Sequence, residues 1–418
     1  MIKLPHHKVN STHHYQQTRQ QPAEMNGELR LNLQAILGYS LVMKDVCEHN
    51  EHIPFHDSAL GTLGVEMEWM TVDADSGQQV AAAPHVLSSI ADSPRIKAEL
   101  FTSIIEINTA IHHNTPAAMQ ELQALYAQVN ASLQDLNAAL LSSSTHPVSH
   151  WRDQTISDDP RYHALLMRLC WVVRRFNICG IHTHIGMPDG DSCIHAMNQL
   201  LPIMPMFLAI SANSPFWHGE ATGLAASRIK VFEGLSQGGM PFYFNDWHDF
   251  EHCASRLKAT GSIDSVRDIW WEMRPHPTFG TLEIRIGDMP GNHADSAAYI
   301  AYVRAEAIAA ATSSQTSPRV HPSLIRENRW RACRYGMRAI MIDPVSEELM
   351  PLLDWLEQRL DQLAAQGADN TELTLIKSRL PYWRKHGGGA DMQTKLYDHN
   401  KDFAALVKAM RQQDGWHA

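Results

Sequence analysis

The chain has 418 residues, 44% of them hydrophobic and 19% charged, which is the composition of a soluble globular protein and excludes global disorder. Length suggests two or three domains, although a single large α/β or α+β unit also reaches this size. A formal charge of −10 argues against a nonspecific binder of nucleic acid or acidic membranes, while leaving room for a local basic pocket.

Six cysteines (Cys47, Cys170, Cys179, Cys193, Cys253 and Cys333) form no CxxC pair and read as mostly reduced thiols of a cytoplasmic protein. The opening MIKLPHHKVN has no apolar signal-peptide core. The most apolar run, Leu200 to Ile210, is broken by two prolines and falls short of a membrane span, so no membrane partner is expected.

Residues 1–26 are polar and rich in Gln and His (His6, His7, His13, His14), as in a solvated tail with loose metal binding as the lesser alternative. Residues 28–50 read as a helix, and Pro54 and Gly61 mark the start of the main body. Residues 1–57 are therefore expected to be a partly flexible extension, and 58–418 a single main domain.

Gly61 to Asp73 (GTLGVEMEWMTVD) alternates Val65, Met67 and Trp69 with Glu66 and Glu68, the period of a strand with two different faces. Two carboxylates then stand roughly 7 Å apart on one face, and need either water or a cation between them. Asp75-Ser76-Gly77 signals a turn. Ala98 to Ala110 has strand character and carries Glu99 and Glu106. Seven residues apart, they sit on opposite faces of a regular strand, so a shared site requires a bulge, a bend, or Glu99 ahead of the strand.

Pro116 opens a long amphipathic helix with a Leu122, Leu125, Val129, Leu133, Leu136, Leu140 stripe. A helix over Arg161 to Phe176 leads into GIHTHIG, a short strand with His182 and His184 on one face. Residues 192–212 read as helical. Asp246 to Ala259 is another helix, capped by Asp246 or Asn245. Ile269 to Arg274 and Gly280 to Ile286 read as strands, the second with Glu283 and Arg285 on one face. From about Asp295 the pattern is helical to the end. Strands mixed with helices, followed by helices, predict an α+β fold on an antiparallel sheet.

Acidic, His and Arg residues thus recur on one face of several strands, each flanked by apolar alternates. Taken singly each is as well explained by a solvated face. Together they favour a polar funnel on one side of the sheet. Carboxylates with an occasional imidazole suit Mg²⁺ or Mn²⁺ rather than zinc, and arginines in the same funnel suit phosphate or carboxylate. The residues therefore point to Mg²⁺-dependent phosphoryl chemistry, with neither a GxxxxGK[ST] loop nor a GxGxxG turn. Two rivals stand beside it. One is a non-catalytic metal-binding or scaffold protein. The other is a zinc hydrolase on His248, Glu251 and His252, whose HxxEH spacing arises easily in a chain with 25 histidines. Trp270-Trp271 reads as core rather than as a stacking platform.

Seven segments in order, LGVEMEW, SIIEINTA, GIHTHIG, LAISANSPFW, the TG…SR loop, IWWEMRPHPTFGTLEIRIGD and RWRACRYG, resemble the type 2 glutamate–cysteine ligase family, in its bacterial carboxylate–amine ligase branch. The resemblance spans roughly residues 60–385. It implies a glutamine-synthetase-like antiparallel sheet forming a concave active-site funnel packed with helices, binding ATP and Mg²⁺ (or Mn²⁺). It further implies a homodimer acting on small-molecule amino-acid substrates and ATP. The implied reaction joins the side-chain carboxylate of L-glutamate to the amine of L-cysteine, giving γ-glutamylcysteine for glutathione biosynthesis, ADP and phosphate. By the same resemblance Glu66, Glu68, Glu99, Glu106, His182 and Glu283 are metal ligands. Arg285, facing phosphate or substrate, and Arg228, a candidate for phosphate or the glutamate carboxylate, are the catalytic residues it implies. Thr109, His184, Arg274, Arg331 and Arg334 are candidates for nucleotide or substrate.

Overall fold

The computed structural model describes residues 52–416 apart from 91–92 and 315–318. The expected tail and helix of residues 1–50, and Cys47, lie outside the described residues.

The fold is built on one long strand, β1 (Leu63–Asp73). Its apolar alternates Leu63, Val65, Met67 and Trp69 are almost fully buried, whereas Glu66 and Glu68 are only partly covered. This is the two-faced pattern that alternation predicts. Around it lie β2 (Ile96–Ala98), β3 (Ile104–Asn108), β4 (Ala138–Leu141), β5 (Ile181–Gly186), β6 (Met273–His276) and β7 (Thr281–Ile284). They run in the order β6-β7-β5-β1-β3-β2, with β4 pairing the far end of β1. Every pairing is antiparallel. Pro275 lies in β6, an end strand of the sheet, where a missing N–H costs no ladder bond.

Helix α1 (Thr115–Leu133) starts where Asn114 accepts the Ala117 N–H. It packs its Tyr126 ring against Trp69, 5.7 Å between centroids. Trp69 also donates from its indole to Ser142 at 3.0 Å, so a large apolar body is buried with its polar handle satisfied. Helices α2 (Pro160–Leu169), α3 (Gly190–Leu200), α4 (Met204–Ser211), α5 (Trp247–Ala259), α6 (His293–Thr312), α7 (Pro322–Tyr335) and α8 (Asn370–His386) fill in the rest of what is needed below. Among the described residues no single helix is long and apolar enough to cross a membrane.

Four local expectations are corrected. The α1 stripe stops at Leu133, because Asn137 adopts a left-handed conformation (φ 50°) and Leu140 belongs to β4, buried on both faces and therefore without alternation. The helix expected through Phe176 breaks at Cys170, also at positive φ. Ala98 to Ala110 is not one strand: β2 ends at Ala98 and folds back antiparallel onto β3. The helical C-terminal part is interrupted by a hairpin of β8 (Ile340–Ile342) and β9 (Leu349–Pro351).

Candidate active site

Pairing brings the acidic faces together. Glu68 sits opposite Glu106 across β1–β3, and Glu66 opposite His182 across β1–β5. His184 sits opposite Glu283 across β5–β7, and Glu283 opposite Arg274 across β7–β6. All of these side chains, with Glu99, Arg228 and Arg285, line one cavity of about 310 Å³.

Two groups in it have the geometry to hold a cation, their ligand atoms lying within 4.8 Å of one another: Glu66, His184 and Glu283, and Glu68, Glu99 and Glu106. The β2–β3 fold-back answers the seven-residue spacing. Glu99 stands just past the end of β2, in the same acidic group as Glu106. The two imidazoles divide differently from the expectation. His182 Nδ1 is 3.2 Å from Glu66, while His184 is the member of the first cation group. His184 Nδ1 contacts Thr281 Oγ1 at 2.9 Å, leaving Nε2 at 3.6 Å from Glu66 and 3.8 Å from Glu283, buried and without a hydrogen-bond partner. A ring fixed through one nitrogen, with the other bare between two carboxylates, fits a metal ligand.

The two groups differ in charge balance. In the first, burial pushes Glu66 up, but its contact with His182 and the nearby charge of His184 outweigh it and hold its carboxyl well below the usual range. Glu283 behaves likewise: burial is overcome by Arg274 and Arg285, and its carboxyl is held low. Arg274 gives Nε and Nη2 to Glu283 at 2.9 and 2.8 Å, and Arg285 Nη1 also bonds Glu283. In the second group, burial and then the charges of Glu106 and Glu68 push Glu99 well above the usual range. Glu106 and Glu68 are raised too, by burial first, although Glu68 accepts the Gly180 N–H at 2.6 Å and Glu106 has Lys97 at 3.5 Å. Each pair of carboxylates at such distances repels by about 3.5 kcal/mol at an effective dielectric near 20. Three carboxylates so placed could hold a hard divalent cation, and their oxygens fit Mg²⁺ or Mn²⁺.

Arg228 reaches this half because residue 180 has no side chain: a Cβ there would come within 2.2 Å of the Arg228 guanidinium. The Nε atoms of Arg228 and Arg285 are buried and lack partners, as donors awaiting an anion would be. Arg274, by contrast, is already committed, since its Nη1 also bonds the carbonyls of Arg267 and Ile269, each at 2.8 Å.

Three expected residues fall elsewhere. Thr109 Oγ1 takes the Val65 N–H at 3.0 Å and gives its proton to the Ala110 carbonyl, serving the sheet rather than the cavity. Arg331 pairs with Glu327 one turn away on α7 and bonds the Ile340 carbonyl, and Arg334 lies over the Tyr335 ring. Neither arginine lines the cavity. The HxxEH segment is likewise taken up: Glu251 accepts the Ile53 N–H and contacts His52, both at 2.8 Å, while His248 and His252 are exposed. His248, Glu251 and His252 form none of the cation-holding groups among the described residues, so the zinc-hydrolase reading is set aside. Trp271 is core, as expected, whereas Trp270 lines the cavity. Sequence reasoning missed Lys97, two residues before Glu99 and paired with Glu106 across β2–β3. It also missed the stacked rings of His276 and Phe279, 4.1 Å apart at the cavity wall.

Residues 62–409 match the family model described as Glutamate-cysteine ligase family 2 (GCS2). The chain is 37% identical over 362 residues to "Putative glutamate--cysteine ligase 2" of Gloeobacter violaceus, covering 85% of this chain and 97% of that one. It is 34% identical over 365 residues to "Putative glutamate--cysteine ligase 2-1" of Mycolicibacterium vanbaalenii, covering 86% and 95%. The fold is similar to a glutamate–cysteine ligase of Francisella tularensis solved in complex with AMP (TM-score 0.64, 12% identity, 86% of this chain and 90% of that one). It is also similar to a bifunctional glutathione synthetase of Pasteurella multocida (TM-score 0.65, 16% identity, 84% and 52%). Sequence and fold agree: the chain belongs to glutamate–cysteine ligase family 2 and is a ligase of that ATP-dependent type.

Proposed function

We propose that the chain uses ATP to join a carboxylate to an amine through an acyl phosphate, with Mg²⁺ as the metal and the side-chain carboxylate of L-glutamate as the acid. L-Cysteine is the amine that the relatives' names suggest. The observation that supports this reading best is the meeting of two cation-holding groups with Arg228 and Arg285 in one cavity.

A carboxylate is a poor electrophile until its oxygen carries a good leaving group. In the proposed first step a carboxylate oxygen attacks the γ-phosphorus of ATP, the bond from that phosphorus to the ADP oxygen breaks, and ADP leaves with the electron pair. The amine nitrogen then attacks the acyl carbon. The carbon–oxygen bond to phosphate breaks, phosphate departs with that pair, and the nitrogen releases a proton. Both attacks bring negative charge toward negative charge, and bound Mg²⁺ would supply the neutralisation. Arg285 and Arg228, each with a free buried Nε, stabilise the transferred phosphoryl oxygens without moving a proton. Glu66, His184 and Glu283 would hold one ion, and Glu68, Glu99 and Glu106 another.

The test is ADP release by the purified chain with ATP, Mg²⁺ and a panel of amino acids and amines. Release that needs both a carboxylate and an amine is expected. A panel that yields no ADP above background sinks the ligase reading.

A further inference from the structure

The two ends of the cavity differ. At one end, beside Glu283 and His184, the wall carries Arg274 and His276. Both residues, with Arg267, also line a second and larger cavity of about 440 Å³. Those three residues are shared by the two cavities, which makes this the more polar end. At the other end, Arg228 lies against Phe232 (5.6 Å) and contributes to the field at Glu68, and Tyr162 feels the charges of Glu99 and Glu106. There the wall is apolar: Leu165, Leu169, Phe176, Ile178, Phe232 and Trp270, with Phe176 and Phe232 stacked 5.8 Å apart.

We propose that the amine substrate carries an apolar body, branched or aromatic, which packs on this wall. The inference rests on the ligase reading. Among the described residues every acidic side chain lining the cavity belongs to one of the two cation-holding groups, so none of these is left to pair with a further ammonium group on the second substrate. Ile178 and Phe232 are buried, but Leu165, Leu169, Phe176 and Trp270 are left partly open beside five carboxylates, and covering a ring or branched chain is favourable. A thiol-bearing substrate of cysteine's size covers little of such a wall. Lys97 and Arg161 line the same cavity and leave room for an amine that also bears a carboxylate.

The experiment gives the full chain Mg²⁺, ATP and glutamate with cysteine, alanine, leucine, phenylalanine, isopentylamine or phenethylamine, reading ADP and the amide product by mass spectrometry. Roughly tenfold or greater preference in kcat/KM for the apolar amines over cysteine is expected, the size of one or two buried methylenes. Phe176→Ala should raise the amine KM about tenfold while leaving the KM for ATP within about twofold, and the narrowing variant Leu165→Phe should shift preference to shorter amines. Preference for cysteine or alanine overturns the proposal. So does a Phe176→Ala variant whose KM changes for ATP instead, because the wall then holds the base. Mg²⁺-dependent ATP binding by calorimetry without turnover of any apolar amine also overturns it and leaves the nucleotide site intact. Failure of both ATP binding and ADP release sinks the ligase reading itself.

Discussion

Two buried ionic regions of this molecule make an instructive pair. On α6, Arg304 gives Nε to the Gly61 carbonyl at 2.9 Å, Nη2 to the His113 carbonyl at 2.7 Å and Nη1 to Glu372 of α8 at 3.0 Å. The same Glu372 oxygen accepts the Thr115 N–H that starts α1. Each nitrogen of that guanidinium has a partner, and the cluster ties the beginning of β1 to three helices. In the funnel the balance is reversed. Five carboxylates share one cavity, two arginines keep bare Nε atoms, and a histidine nitrogen faces carboxylates without a bond. A guanidinium with every nitrogen met holds a fold, even though Glu372 Oε2 has no hydrogen bond; bare donors among crowded carboxylates suit a ligand.

Four substitutions test that contrast. The largest effect belongs to Arg304→Ala, which leaves Glu372 buried and uncompensated and should cost about 3–5 kcal/mol in a urea titration. Next comes His146, buried and neutral, with Nε2 donating to the Gly77 carbonyl and Nδ1 accepting the Ser149 N–H. Burial lowers its pKa from 6.5 to about 4. The unfolded chain therefore binds the extra proton between those values. Stability rises with pH across that window, by about 3 kcal/mol from this group, and is fully present above 6.5. His146→Gln should flatten that slope, and equal slopes in parent and variant would exclude the assignment. Third is Glu66→Gln, expected to lower ATP-dependent turnover at least about 100-fold, near 2.7 kcal/mol, in a coupled ADP-release assay. Smallest is Glu99→Gln, which relieves repulsion. Without metal it should match or exceed the parent's stability by about 1 kcal/mol, while losing most of the thermal shift that Mg²⁺ gives the parent. A variant destabilised like Arg304→Ala would show Glu99 to be a structural charge.

Much of the site was legible in β1, because alternation with a period of two needs only local chemistry. Val65, Met67 and Trp69 went to the core and Glu66 and Glu68 to the funnel, as the pattern requires. The His182–His184 strand and the Glu283–Arg285 strand followed from the same rule. Expectations failed where one residue's backbone decided the outcome, as at Asn137 and Cys170 with positive φ. They failed again where partners are distant in sequence. Nothing near Arg331 or Arg334 reveals that α7 turns them away from the cavity, nor does the Thr109 hydroxyl announce that it will be spent on Val65. Lys97 was legible in principle, two residues from Glu99, but only once β2 is known to fold onto β3.

β1 has one further consequence. It contributes Glu66 to one cation-holding group and Glu68 to the other, and it is flanked by β3 on one side and β5 on the other. The strand is in effect a ruler: the separation of the two groups is set by two residue rises, roughly 7 Å, and neighbours hydrogen-bonded along both edges keep it from stretching. No hinge between helices can alter that spacing. The apolar side chains Leu165 and Leu169 of α2, and Phe176 beyond the break at Cys170, line the same cavity from outside the sheet and are not bound by that spacing.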